Sequence, residues 1–284
     1  MRWREGRRSG NIEDRRGLGP VAAGGVGAGG LILALVGYLV FGINPQTTLS
    51  VVNQVGGAQA PAEQGRSGAP EDEAGQFVDV IETSTADVWS QIFSEAGGQY
   101  QPPAGVVLYD ESTQTGCGPG SATMGPFYCP ADQKVYLDLS FWNELEQRFG
   151  ARGEAARAYV IAHEIGHHVQ RLTDQTERAR ALGERGADSG SVRLELQADC
   201  YAGIWAARAA QASNGAVALD PRDIEDGLRA ASAVGDDTLQ EKAQGRVAPD
   251  SFTHGSSAQR TRWFRRGLEA PNPGACDTFR APTL

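Results

Sequence analysis

The longest apolar stretch of the chain lies near its N-terminus. No charged residue occurs between Gly17 and Ala62, and residues 18–43 are rich in Val, Leu, Ala and Gly. As a helix this segment would be about 39 Å long, whereas the hydrocarbon core of a bilayer is about 30 Å thick. A cleavable signal peptide is one alternative, but its possible cleavage site, Ala58-Gln59-Ala60, lies far behind the apolar region. The other is a buried helix of a soluble core, which the preceding arginines and the following linker disfavour. The pattern therefore predicts one transmembrane helix over residues 18–43.

The segment after this stretch, residues 44–75, has neither a helical nor a strand period. It is rich in Gly, Ala, Pro, Gln and Ser, which is the composition of a flexible linker. The pattern thus predicts a basic segment over 1–17, a membrane helix over 18–43, a linker over 44–75 and a folded domain over 76–284.

The pattern within this domain predicts a few strands followed mostly by helices. The strands are expected at Val106–Tyr109, Phe127–Cys129 and Lys134–Leu139, with a loop over 111–126. The helices are expected at Asp87–Ala96, Phe141–Phe149, Glu154–Leu172, Val192–Ala212, Pro221–Val234 and Ala258–Gly267. This order is typical of an α+β domain.

The charge balance bears on partners and topology. The 284 residues include 26 Lys and Arg against 35 Asp and Glu, which gives a net charge of −9. Phosphate binding requires clustered basic residues, so nucleic acid is not expected as a partner. Six arginines precede the apolar stretch. Because positive charge flanks a membrane helix on its cytoplasmic side, this bias predicts a cytoplasmic N-terminus and an extracytoplasmic domain, in a periplasm or at the cell surface.

Four cysteines permit three disulfide pairings, and an extracytoplasmic domain would allow them to form. We expect Cys117–Cys129 across the loop and Cys200–Cys276 between a helix and the C-terminal segment. A structural zinc site is an alternative, although no Cys-x2-Cys pair occurs. Free reactive thiols are the other alternative.

The motif that indicates chemistry is His163-Glu164-x-x-His167, within an apolar, helix-forming stretch. Two histidines four residues apart differ by about 40° around a helix, so both imidazoles can share one metal ion. Glu164 lies about 100° from His163, where it can take a proton from metal-bound water. Zinc suits these ligands. The alternative is a helix whose histidines only pack, but three of the four histidines of the chain lie in this stretch.

A catalytic zinc requires a third protein ligand. An extended form of the motif continues with a glycine and a third histidine, but this chain has Gln170 in place of the glycine and Thr173 in place of the histidine. Glu195 and Asp199 instead lie four residues apart among apolar neighbours, where unpaired carboxylates would be costly. We expect Glu195 to be the third ligand and Asp199 to accept a hydrogen bond from a ligating histidine. Two solvated acids on a helix surface are the alternative.

These motifs together resemble a known family. His-Glu-x-x-His followed by Glu-x-x-Ala-Asp is similar to the gluzincin metallopeptidases. Met-Arg-Trp at the start and the segments 135–138, 162–170, 195–203 and 252–257 resemble more closely the bacterial neutral zinc metallopeptidases that include the YpfJ-like proteins, over nearly the whole chain. The resemblance implies a zincin-like domain, a zinc cofactor and a strand at Lys134–Leu139 that forms the sheet edge along which an extended peptide lies. An ordinary internal strand is the alternative.

The resemblance also implies that a segment after the predicted ligands contributes to the site. Gluzincins commonly place a His, Tyr or Arg near the zinc to stabilise the oxyanion of the intermediate. His254 could take this catalytic role, and Arg260 could do so or bind substrate, with a capping or structural role as the alternative for either. His168 points away from the shared face of the two ligands, and we expect it to be packed or exposed.

The sequence therefore predicts a membrane-anchored zinc metallopeptidase that acts on a peptide or protein. Zinc would be held by His163, His167 and Glu195, and Glu164 would act as general base. One alternative is a catalytically inactive, metal-stabilised scaffold that binds a membrane or envelope partner. The other is a zinc hydrolase of a non-peptide amide, such as a cell-wall linkage. No feature of the sequence indicates an oligomeric state.

Overall fold

A computed structural model describes residues 1–18, 65–147 and 150–284. Its strands are β1 (Ile12–Asp14), β2 (Arg66–Ser67), β3 (Gly105–Tyr109), β4 (Ser112–Thr115), β5 (Gly118–Ser121), β6 (Phe127–Cys129) and β7 (Lys134–Asp138). Its α-helices are α1 (Glu73–Glu95), α2 (Phe141–Gln147), α3 (Glu154–Leu172), α4 (Gln175–Arg180), α5 (Gly190–Ala212), α6 (Pro221–Ala233), α7 (Asp236–Gln244) and α8 (Ser257–Glu269). The predicted α+β character, a small sheet with mostly helices after it, is confirmed.

Five strands form one mixed sheet in the order β2-β1-β3-β7-β6, and β4 and β5 form a separate hairpin within the predicted loop. β1, β3 and β7 are parallel, and the two edge strands pair antiparallel. Val106 and Leu108 of β3 join the main core, whereas Val107 and Tyr109 pack with Tyr136 on the opposite face. β3 is therefore covered on both faces, which explains its uninterrupted apolar sequence.

The edge strand beside the helices is β6, and the expectation that the strand at Lys134–Leu139 forms the sheet edge is wrong. β7 lies between β3 and β6 and is hydrogen-bonded to both. Its backbone is therefore not free to pair with an extended peptide. The sequence indicates two strands joined by a turn, but which of the two is outermost depends on the distant strand β3.

Residues 1–17 belong to the same domain as the helices. β1 lies between β2 and β3, and Trp3, which is 3% exposed, packs edge-to-face on Phe77. Three arginines of this segment form ion pairs with acidic residues at the start of or within α1: Arg4 with Glu73, Arg7 with Asp87, and Arg16 with Asp72. These positive charges are therefore paired with acidic residues of the same domain.

The predicted transmembrane helix is not supported. Residues 19–64, which hold nearly all of it and most of the predicted linker, lie outside the described residues. None of the helices in the described ranges is both long and apolar enough to cross a membrane. The predicted single-pass topology, with residues 1–17 in the cytoplasm and the domain outside, is wrong, since these two parts pack together. The arginine cluster was misleading because its charge complements acidic residues of the domain. The described end of the predicted linker contains β2 and the first turn of α1.

α1 is much longer than the predicted helix Asp87–Ala96. Asp72 caps its start by accepting a hydrogen bond from a backbone N–H of the first turn. The run Thr-Ser-Thr at 83–85, just before the predicted helix, is buried inside α1, where the hydroxyl of Thr85 donates to the carbonyl of Ile81 at 2.7 Å. The polar run does not end the helix because its hydroxyl groups find partners there.

Both predicted disulfides are confirmed, and helix α3 has the predicted bounds. Cys117–Cys129 and Cys200–Cys276 both form, with Cα–Cα distances of 5.8 and 5.7 Å. The second bond fastens the C-terminal segment to α5. Helices α4 and α7 were not predicted, and the last two residues of the predicted helix Phe141–Phe149 lie outside the described ranges.

Helices α5 and α8 meet backbone to backbone at two glycines. A Cβ atom on Gly267 would lie 2.0 Å from the carbonyl oxygen of Cys200. A Cβ atom on Gly203 would lie 2.2 Å from the carbonyl oxygen of Phe264. Neither position has room for a methyl group, so the spacing of the two helices depends on glycine at both.

Gly267→Ala is expected to lower the free energy of unfolding by about 1–3 kcal/mol, because the added methyl group forces α8 away from α5. Denaturant-induced unfolding would measure the difference. Glu269→Ala, at an exposed position of the same helix, is the control. Equal stability of the two variants would contradict the close contact.

Candidate metal centre

The two histidines of the motif lie on α3 beside a close contact of this helix with α5. Gly166 faces Ala198, and a Cβ atom on Gly166 would lie 3.3 Å from both the Cα and the carbonyl oxygen of Ala198. His163 and His167 precede and follow this contact. The small residues at the crossing therefore bring α5 within reach of the imidazoles.

His163, His167 and Glu195 converge from these two helices. Each offers one ligand atom, and the three atoms lie within 4.8 Å of one another. Glu195 Oε2 is 3.2 Å from Nε2 of His163, and Glu195 Oε1 is 3.4 Å from Nε2 of His167. Ligands about 2.0–2.1 Å from a tetrahedral zinc ion are about 3.3 Å apart. The donor set and its spacing thus fit a zinc ion that keeps a fourth position for water or substrate.

Asp199 lies beside His163 and is fully buried. Its Oδ1 is 2.9 Å from Nδ1 of His163 and accepts a hydrogen bond from the hydroxyl of Tyr159 at 2.5 Å. Burial alone would raise the pKa of Asp199, but the charge of Arg260 and the contact with His163 outweigh it and lower that pKa. The carboxylate therefore stays charged and orients the imidazole.

Arg260 holds this carboxylate from the other side. Its guanidinium donates to both oxygens of Asp199, at 2.9 Å each, and to the carbonyl of Val234 and the hydroxyl of Tyr159, at 3.2 Å each. The side chain is 5% exposed. These contacts favour the structural alternative expected for Arg260, and its side chain also lines the cleft.

Glu164 borders the cleft beside the ligands and is 8% exposed. Burial raises the pKa of its carboxyl group to about 7, the charge of His163 opposes this shift, and the charge of Glu195 adds to it. A carboxyl group with a pKa near neutrality can both accept and release a proton at physiological pH.

His254 lies on the border of the same cleft and is held by Asp236. Its Nδ1 is 3.3 Å from Asp236 Oδ1 and 2.8 Å from the hydroxyl of Thr253. Asp236 Oδ2 also accepts the backbone N–H groups of Thr253, His254 and Gly255, at 2.7, 2.7 and 3.1 Å. The charge of Glu195 and the contact with Asp236 raise the pKa of His254.

His168 is not part of the site. It is fully buried, with Nδ1 at 3.0 Å from the hydroxyl of Tyr128 and Nε2 at 2.8 Å from the carbonyl of Gln101. His168 was expected to be either packed or exposed, and in the structure it is packed.

The cleft above the ligands has a volume of about 680 Å³. Its lining includes β6 with the turn before it, and it also includes apolar side chains of α3, of α7 and of the residue after α6, which are Val160, Leu239, Ala243 and Val234. The edge strand and the metal centre therefore open into the same space.

Comparison with known proteins identifies the family. A family model described as "Putative neutral zinc metallopeptidase" matches residues 1–279. The chain belongs to this family. The YpfJ protein of Escherichia coli (strain K12) is 45% identical over 295 aligned residues, which cover 98% of this chain and 99% of that protein. The protein Rv2575 of Mycobacterium tuberculosis (strain H37Rv) is 43% identical over 228 residues, which cover 78% and 76%. Both are described as uncharacterized. No solved structure matches the chain.

Membership in this metallopeptidase family implies a zinc cofactor, as predicted, and the His/Glu cluster offers a place for it. The sequence analysis does not predict two residues that support the site. Tyr159 could have been found, because it lies one helical turn before His163 and so shares its face. Asp236 carried no such signal, since its partners lie 17 to 19 positions away in a loop.

Proposed function

We propose that the chain hydrolyses peptide bonds, with His163, His167 and Glu195 as its zinc ligands. The observation that carries the proposal is the convergence of these three ligand atoms within 4.8 Å. Membership in a zinc metallopeptidase family supports it. When bound, zinc supplies Lewis-acid activation of the attacking water and of the substrate carbonyl.

Glu164 is the proposed general base. Its carboxylate takes a proton from the attacking water and delivers it to the amide nitrogen of the leaving group. Asp199 keeps the proton of His163 on Nδ1, so that Nε2 remains the ligand atom. His254 lies on the rim of the cleft, where its imidazole would donate to the oxyanion that develops on the carbonyl.

The substrate is proposed to lie along β6. This strand forms the edge of the sheet, and residues 127 and 128 line the cleft above the ligands. An extended peptide can add to such an edge through its backbone hydrogen bonds. The cleft then receives its side chains.

Zinc content and proteolysis of the purified full chain test the proposal. We expect one equivalent of zinc, lost in His163→Ala, and cleavage of an unfolded protein such as reduced casein. Bound zinc with no cleavage of any substrate would point instead to the metal-stabilised scaffold. Cleavage of muropeptides alone would point to a hydrolase of cell-wall amides. Either result would overturn the peptidase proposal.

A further inference from the structure

The charged groups around the cleft provide little to anchor a chain end. Among the described residues that line it, Arg260 is the permanent cation, and its guanidinium already binds Asp199. The α-carboxylate of a terminal residue therefore meets no second permanent cation among the described lining residues. Apart from Glu164 and Glu195, the lining carboxylate is Glu144, which is exposed on α2. β6 in contrast offers a backbone edge to a chain that continues in both directions.

Part of the cleft lining is an apolar wall. α7 carries two apolar residues, Leu239 and Ala243, which lie four positions apart and so share one face. Both line the cleft, together with Val234 and Val160. Leu239 and Val234 are half-buried, so each still presents apolar surface that a ligand could cover.

This wall is held in place by polar contacts on the other side of α7. Asp237 accepts hydrogen bonds from the backbone N–H and the hydroxyl of Ser257, at 2.8 and 2.7 Å. The hydroxyl groups of Thr238 and Ser257 are 2.7 Å apart. Together with the contacts of Asp236 to the loop before α8, these bonds fix α7, so the apolar surface exists before a substrate binds.

We propose that the site cleaves internal peptide bonds beside a bulky apolar residue whose side chain packs on Leu239 and Val234. The inference rests on the proposed function and adds the class of substrate. Transferring a Leu-sized side chain from water to this wall favours it over Ala by roughly 10-fold or more in kcat/KM.

Blocked peptides test both parts of the proposal on the zinc-loaded full chain. The peptides carry an N-acetyl group and a C-terminal amide and differ at one position, with Leu, Phe, Ala or Asp. Blocked and free peptides are expected to be cleaved with similar kcat/KM, and the Leu and Phe peptides about 10-fold faster than the Ala peptide. A requirement for a free end, or equal cleavage of all four peptides, would overturn the inference and leave the proposed function standing. No cleavage of any peptide would overturn the proposed function and the inference with it.

Leu239→Asp identifies the wall. It is expected to lower kcat/KM for the Leu peptide about 10-fold while the Ala peptide changes little, so that the selectivity collapses. Leu182→Asp, at a 50% exposed position outside the cleft lining, is the matched control. Zinc content and circular dichroism verify that each variant folds. If Leu239→Asp does not fold, Leu239→Ala takes its place, and a smaller change in the same direction is expected. Unchanged selectivity in a folded Leu239 variant would contradict the proposal.

Discussion

Glu164→Gln is expected to lower kcat for cleavage of an unfolded protein by about 10²–10⁴-fold, the usual range for loss of a general base. Glutamine keeps the size of the side chain and can still form hydrogen bonds, but it cannot take a proton from the attacking water. Because Glu164 is not among the three converging ligands, zinc content should not change. Initial rates with saturating substrate, together with zinc analysis of each preparation, measure both effects.

Glu177→Gln is the control for this substitution, since Glu177 is an exposed carboxylate on α4. It is expected to retain the rate of the unmodified chain. Equal turnover by Glu164→Gln and by this control would remove the assigned role of Glu164, even with zinc bound. A loss of zinc from Glu164→Gln would show that the substitution acts on the metal centre and not on proton transfer.

Arg260→Met is expected to lower the free energy of unfolding by about 3–5 kcal/mol, the cost of leaving one partner of a buried ion pair alone. The carboxylate of Asp199 would lose two hydrogen bonds of 2.9 Å while remaining fully buried. Methionine has a similar length, so little volume is lost. Denaturant-induced unfolding with zinc in constant excess measures the change.

Two controls separate charge from packing. Arg265→Met lies on the exposed side of the same helix and should have little effect. The double variant Asp199→Asn with Arg260→Met removes both charges and should recover part of the lost stability, because no uncompensated carboxylate remains. A single Arg260→Met variant as stable as Arg265→Met would show that the ion pair contributes nothing.

The helices that carry the ligands could be read from the sequence with good accuracy. α3 begins and ends at the predicted residues, Glu154 and Leu172. α5 ends at Ala212 as predicted and begins two residues earlier, because Ser189 caps it by accepting a hydrogen bond from the N–H of Val192. Both helices are long and contain many buried apolar residues, and Ser189 is a local cap of α5, so neighbouring residues in the sequence contain most of the information.

The sequence predicts the sheet and α7 less accurately. β1 has three residues and acquires its role only by pairing with β3, about 95 positions later. α7 has a single large apolar residue, Leu239, and its position depends on hydrogen bonds to the loop before α8 and to Ser257. Periodicity cannot indicate elements whose partners are distant in the sequence.

Local spacing alone determined that two imidazoles share a helix face, that a carboxylate lies beside them and that a second pair of acids lies one turn apart on another helix. These are consequences of the 3.6-residue period and need no tertiary contact. Only the folded chain decided that Glu195 reaches both histidines, that Arg260 pairs with Asp199, and that residues 1–17 join the domain. Those outcomes depend on helix crossings at small residues and on charges brought together from positions 60 to 150 residues apart, which no local pattern contains.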